Sequence, residues 1–271
     1  LEILGYFLSI LIGVSLGVIG GGGSILTIPL LVYIFEIDPL IATTYSLFIV
    51  GSTSLFGGIP KYTQGLVNVK TALLFGIPSI ASVLLTRAFI LPAIPMNILR
   101  IGNFHLTKPV FLMILFASLM IGASLSMIKE KKYNKNLLKR EAKERRDSMI
   151  ILEGLMVGML TALVGAGGGF LIIPALIMFG RLSMKVAVGT SLMIITANSL
   201  IGFFSGLSHH SSEIDWKFLS ILTVLAISGI FIGHRISKKW DGEKLKKNFG
   251  RIILVLGIGI LINEGIKLIK L

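Results

Sequence analysis

Cysteine is absent from the 271 residues, which excludes disulfides, thiolate metal sites and cysteine nucleophiles. Charge is scarce as well, at 14% of the chain, where a soluble domain carries about 25%. Acidic residues are the rarer kind, 13 against 26 Lys and Arg, for a net charge of +13. Such a balance can mark a nucleic-acid binder. A nucleic-acid-binding fold spreads Lys and Arg over its surface, however, whereas here they crowd at the ends of long uncharged runs. The expected partner is therefore a lipid bilayer and not nucleic acid. Catalytic motifs are scarce too: there is no HExxH and no P-loop. No Asp, Glu or Lys lies deep in an uncharged run, so the carboxylate of a proton relay is not evident. His209-His210 lack a ligand set and read as a solvated loop. Neither an enzyme nor a resident cofactor or metal is expected.

Apolar residues make 54% of the chain. A helix that crosses a hydrocarbon core of about 30 Å needs about 20 of them in succession. The uncharged runs are Ile3–Phe35, Leu40–Pro60, Thr71–Thr86 with a continuation past Arg87, Pro109–Ile128, Gly154–Gly180, Val186–Ser212, Phe218–Gly233 and a short Ile252–Asn263. Between the fourth and fifth, Lys129–Asp147 interleaves nine basic with four acidic residues and reads as a cytoplasmic loop. The chain thus divides into a first unit at 1–128, a basic linker at 129–148 and a second unit at 149–271.

The two units are copies of one another. A shift of 145 residues carries Gly13 to Gly158 and runs without a gap to Leu55 on Leu200. Gly20, Gly22 and Gly23 meet Gly165, Gly167 and Gly168, Pro29 meets Pro174, and Ser46 and Ser54 meet Ser191 and Ser199. If all eight runs cross the bilayer, 14 Lys and Arg fall inside and 12 outside, which is hardly a positive-inside bias. If the fifth run is instead a re-entrant hairpin, the split becomes 20 to 6. Length agrees: the 33 residues Ile3–Phe35 would reach about 50 Å as one helix, while two arms of about 15 residues would each reach about 22 Å. With one hairpin and three spans per unit, the second copy is expected to be inverted. The fold expected is an all-α polytopic membrane protein of two inverted repeats, each a broken or re-entrant helical hairpin plus three transmembrane helices.

The hairpin tips would carry Gly20, Gly21, Gly22, Gly23 and Ser24, and Gly165, Ala166, Gly167, Gly168 and Gly169. Glycine lets backbone approach a ligand closely. The first N–H groups and the positive dipole end of each returning arm would face the midplane, an arrangement suited to a small anion. Close helix packing is the competing explanation for such glycines, and kinks are the simplest one for Pro29 and Pro174. The next hydroxyls, Thr44, Ser46, Thr190 and Ser191, can complete an anion's coordination or bond their own helix carbonyls. Asn198 can join the site or tie two helices. Arg87 is expected to snorkel to the interface.

The stretch Gly17-Val-Ile-Gly-Gly-Gly-Gly-Ser-Ile-Leu-Thr-Ile-Pro29, its echo Leu163-Val-Gly-Ala-Gly-Gly-Gly-Phe-Leu-Ile-Ile-Pro174, and Ala187-Val-Gly-Thr-Ser-Leu192 resemble the sulfite exporter TauE/SafE family of membrane permeases. The resemblance covers nearly the whole chain. It implies transport of a small sulfur-containing anion, of the sulfite or sulfoacetate type, across the cell membrane, with Gly20 to Ser24, Pro29, Gly165 to Gly169, Pro174, Thr190 and Ser191 at the motif positions. Copy one departs from the Gly-Thr-Ser form at Thr44-Tyr45-Ser46. The expectation is a secondary transporter working by alternating access at a midplane site between the tips. A passive anion channel is the alternative, and a membrane-embedded enzyme is disfavoured. No motif encodes the substrate, flux direction, coupling ion or oligomeric state.

Overall fold

The computed structural model describes residues 2–101, 104–128, 146–178, 180–210, 214–237 and 242–270. Most of the basic linker expected at 129–148 lies outside the described residues. Helix α1 (Glu2–Ile19) ends where Gly20 takes φ 75°, a backbone conformation that a Cβ disfavours. The chain returns through a 3₁₀ turn (Gly21–Leu26), α2 (Thr27–Pro29) and a π turn (Leu30–Ile34). Pro29 donates no N–H, and the i→i+5 turn begins at the next residue. Phe35 comes back to the level of Gly5 and Tyr6, its ring 5.7 Å from that of Tyr6. The first run is thus a hairpin that enters and leaves at one end.

The second copy repeats this with α7 (Arg146–Val164), a break at Gly165, Gly167 and Gly168, all at positive φ, and α8 (Gly169–Met178). The same shift of 145 holds down to hydrogen bonds. The returning arms end alike, with Ile37 N donating to Leu31 O and Leu182 N to Leu176 O, around Glu36 and Arg181 at φ 55° and 49°. Each helix thus ends on an N–H that reaches a carbonyl six residues back, one residue longer than the six-to-one C-cap bond, over a non-glycine residue at positive φ in both copies. Arm lengths depart from the sequence expectation. The entering arms have 18 and 19 residues, about 27 Å at 1.5 Å per residue, while α8 has 10. The long arms are held over much of their length by packing on another helix, as follows.

Each entering arm packs on a helix of the other unit. On α1, Gly13 and Gly17 lie on the backbone of Ala226 and Ile230, and on α10 (Trp216–Ser237) Gly229 and Gly233 lie on that of Ile10 and Val14. Spacing of four in both helices clears two backbones for close contact. On α7, Gly154 and Gly158 sit on Phe75 and Ser79 of α4 (Val69–Leu85). Both pairs run parallel. Helix α3 (Pro39–Thr63) crosses α9 (Met184–His210) antiparallel, with Gly51 on Leu200 and Gly57 on Leu192. From α4 onward the internal shift is 147: it carries Val83, which packs on Gly202, to Ile230, which packs on Gly57. Caps follow the same rule. The Asn68 side chain accepts from Thr71 N at 2.9 Å and that of Asp215 from Phe218 N at 3.0 Å.

Helix α4 continues through a π turn (Thr86–Ile90) and α5 (Leu91–Ala93) to a two-stranded antiparallel sheet, β1 (Asn97–Ile101) and β2 (Phe104–Thr107), which the sequence reading did not foresee. Helix α6 (Lys108–Ile128) then packs antiparallel on α11 (Gly242–Lys270), with Gly257 against Met120 and Gly250 against Met127. These directions gather Lys61, Lys70, Arg181, Lys185, Arg235 and Arg251 at the end where α6 stops and α7 starts. Glu36, Asp38, Asp215 and Lys217 lie at the other. Large apolar side chains such as Phe7, Ile77, Val224 and Val255 face outward, as lipid contact requires. Among the described residues, six helices are long and apolar enough to cross a membrane. The protein is an all-α polytopic membrane protein.

Candidate functional site

The two glycine clusters touch. A Cβ added to Gly21 would overlap the backbone of Gly169, and one added to Gly169 would overlap Gly21, so the hairpins meet backbone to backbone. They meet at the start of the two returning arms, Gly21 opening the 3₁₀ turn and Gly169 opening α8. Gly20 rests on Val188 in the first turns of α9 and Gly165 on Thr43 in those of α3, positions again 145 apart. Gly22 and Gly23 lie in the 3₁₀ turn, Gly23 against Leu16 and Ser15 of its own entering arm; the matched Gly168 sits against Thr161. Gly167 faces Val50, Ile195 and the hydroxyl of Ser199. Close packing and site geometry are therefore both present, at different glycines: Gly13, Gly17, Gly229 and Gly233 pack helices, and Gly21 and Gly169 form the hairpin crossing.

The hydroxyls divide in the same way. Ser24 Oγ donates to Gly21 O at 2.7 Å and Ser191 Oγ to Val188 O at 2.9 Å, so both are satisfied locally. Thr190 Oγ1 accepts from Asn68 N at 2.9 Å, and Tyr45, its match in copy one, accepts from Asp215 N at 2.7 Å. Both tether the loop that starts the next helix. Thr44 is buried beside Gly206. Ser46 is fully buried with no hydrogen-bond partner for its Oγ. Asn198 donates from Nδ2 to Ser79 Oγ at 2.6 Å, tying α9 to α4, and its Oδ1 has no partner.

Other buried hydroxyls share that condition and were not singled out from sequence: Ser199 against Gly167, Thr161 against Gly168, and Ser54 and Thr27. Buried polar groups are hydrogen-bonded in the great majority of cases, so a group of orphans around two glycine breaks marks the place. A signal existed for two of them, since Ser54 and Ser199 are matched by the repeat. Thr161 carried none, as its match is Leu16.

Arg87 is a correction. It does not snorkel: it is 5% exposed, donates from Nη1 to Gly202 O at 2.7 Å, and approaches Thr43 Oγ1 with Nη2 at 3.5 Å. The π turn at Thr86–Ile90 turns the side chain inward against α9. Lys108 is buried too, with Nζ donating to Leu91 O at 2.6 Å. Glu264 is 2% exposed, accepting from Tyr33 Oη at 3.0 Å and pairing with Lys267 at 2.7 Å. It lies near the end of α11, beyond the short eighth run, which is why the run reading passed over it. At the basic end, a cleft opens between α1, α3, α9 and α10, lined by Gly17, Gly57, Lys61, Leu192, Ile230 and His234. Among the described residues no three His, Cys, Asp or Glu gather to hold a metal.

The chain is similar to known membrane proteins along its length. A "Probable membrane transporter protein" of Xylella fastidiosa (strain 9a5c) is 28% identical over 254 residues, 93% of this chain and 91% of that one. The "Probable membrane transporter protein YunE" of Bacillus subtilis (strain 168) is 26% identical, covering 96% of each chain. The "Probable membrane transporter protein MJ0441" of Methanocaldococcus jannaschii is 26% identical, covering 94% and 95%. No solved structure matches the chain. The family model described as sulfite exporter TauE/SafE matches residues 6–260. With that match over nearly all of its length, and with a repeated glycine-broken hairpin on the motif residues, the chain belongs to the sulfite exporter TauE/SafE family of membrane transporters.

Proposed function

We propose that the protein is a secondary transporter of a small oxyanion, sulfite or an organosulfonate, in the cell membrane. The observation that carries this is the crossing of Gly21 and Gly169 among buried hydroxyls that lack partners. At the crossing, α8 presents the N–H groups of Gly169 and Phe170 at the start of a ten-residue helix, ahead of Leu171 and Ile172, whose N–H groups bond Gly168 O, and with them its positive dipole end. Ser199 beside Gly167, with Ser46 and Ser54, supplies neutral donors that hold an oxyanion without trapping it, and Asn198 braces α9 through its bond to Ser79. Of the residues expected from sequence, Gly20 to Gly23, Gly165 and Gly167 to Gly169 shape this site, Thr44 lies toward Arg87, and Ser24, Thr190 and Ser191 support it. An anion enters as the two hairpins part at the Gly21–Gly169 contact.

Alternating access follows from inverted repeats, because exchanging the conformations of two equivalent halves turns an inward-facing state into an outward-facing one. The opposite chain directions of α1 and α7, and the antiparallel α3–α9 and α6–α11 pairs, support inversion. Uptake of radiolabelled sulfite by proteoliposomes tests the function. Flux should saturate and be accelerated by unlabelled sulfite on the far side. Flux linear in concentration without exchange would make it a channel, and no flux of sulfite, thiosulfate, sulfoacetate, sulfate or carboxylates would end the anion reading. The chain lacks cysteine, so single cysteines test inversion directly. Labels at Lys61 and Lys239 should report the side of Lys139, and labels at Asp38 and Lys217 the opposite side.

A further inference from the structure

We infer that Arg87 is the charged ligand of the transported anion, reading its two oxygens from the end of the site opposite the basic face. This inference rests on the anion-transport reading above and deepens it. The guanidinium is buried inside a membrane-spanning helix, and no carboxylate among the described residues pairs with it. Two of its three nitrogens meet the protein, Nη1 at Gly202 O and Nη2 at Thr43 Oγ1, and Nε has no partner. A carbonyl and a hydroxyl do not neutralise a buried cation. A bidentate oxyanion does, and the guanidinium fork matches sulfite, sulfonate or carboxylate oxygens. The position is also right, because Thr43 is the residue on which Gly165 of the second glycine cluster rests. Arg87 is thus one side chain away from the tip.

The repeat supplies an independent observation. The shift of 147 that carries Val83 to Ile230 carries Arg87 to His234, and the shift of 145 carries Gly202 to Gly57 and Lys61 to Gly206. Gly206 is the residue that a Cβ would drive into Arg87 Nη1. His234, Gly57 and Lys61 line the cleft at the basic end. Both ends of the α3–α9 pair therefore gather basic side chains beside a matched glycine, one beyond each tip. An anion passing the crossing meets a basic side chain on either side of it.

The test measures sulfite exchange in proteoliposomes for wild type, Arg87→Lys and Arg87→Gln, with thermal unfolding in detergent as the control for folding. Arg87→Gln should raise the half-saturating sulfite concentration at least tenfold while the protein stays monodisperse, and Arg87→Lys should fall between. An unchanged half-saturation in Arg87→Gln, with wild type active, overturns the assignment and leaves the transport reading standing. Inactive wild type removes both. Should the variants fail to fold, wild-type protein treated with phenylglyoxal decides by mass spectrometry. Sulfite, but not gluconate at equal ionic strength, should slow modification of Arg87, and an unchanged rate overturns the assignment.

Discussion

At one end of the α3–α9 pair the Arg87 guanidinium fills the slot over Gly202, with Thr43 and Gly206 as walls. At the other end Ile230 packs on the matched Gly57, beside a small cleft lined by Lys61 and His234. Backbone, glycines and caps are equivalent at the two ends, and the side chains are not. The difference teaches that the repeat specifies a frame, while asymmetry in a few residues decides what fills each end. Under the alternating-access proposal, the long side chain of Arg87 would bias the balance between the two states.

Breaking the frame itself should have the largest effect. Gly21→Val or Gly169→Val drives a side chain into the backbone of the opposite hairpin. Flux should fall to that of empty liposomes, with about 1–3 kcal/mol or more of stability lost to overpacking. Gly259→Ala, where nothing lies within 4 Å, should leave flux intact and gain up to about 1 kcal/mol. Normal flux in both valine variants would refute the crossing as the site.

Making the two ends alike comes next. His234→Arg puts a guanidinium into the open cleft, and exchange should slow on the order of tenfold, equivalent to about 1.4 kcal/mol. A rate equal to wild type would show that the cleft is not on the path.

A smaller effect separates orphan from satisfied hydroxyls. Ser199→Ala removes a buried group that has no partner, so thermal stability should hold or rise while sulfite affinity drops about tenfold, or about 1.4 kcal/mol. Ser191→Ala removes a bond to Val188 O and should lose about 1 kcal/mol of stability at unchanged affinity. The reverse pattern would move the site away from the crossing. Smallest is the pair Thr190→Val and Tyr45→Phe. Each leaves one loop N–H without its acceptor, so each should cost about 1 kcal/mol, equally in the two halves and without change in substrate affinity.

Much of this was legible in the primary structure because the features concerned are linear. Gly20 and Gly165 break helices by their own backbone freedom, Asp38-Pro39 start a helix by capping and preset φ, and long uncharged runs declare their solvent. The arm lengths were not legible. A 33-residue run folded in half suggests equal arms, whereas α1 extends to 18 residues because Gly13 and Gly17 seat it on α10. Thr190 looked like a ligand because it follows a glycine beside a serine, and only its bond to Asn68 N shows the tether. Arg87 looked like a side chain reaching for the interface, since hydropathy cannot see which way a helix faces.

The sequence by itself determined that the chain lives in a bilayer, that it is duplicated, and where each copy breaks, since solvent, repetition and backbone freedom are written residue by residue. Tertiary structure alone decided that the glycine clusters meet backbone to backbone, that Arg87 is buried, and which hydroxyls are left without partners. Those outcomes depend on which helix of one unit packs against which of the other, over separations of more than a hundred residues, and no local pattern carries that information.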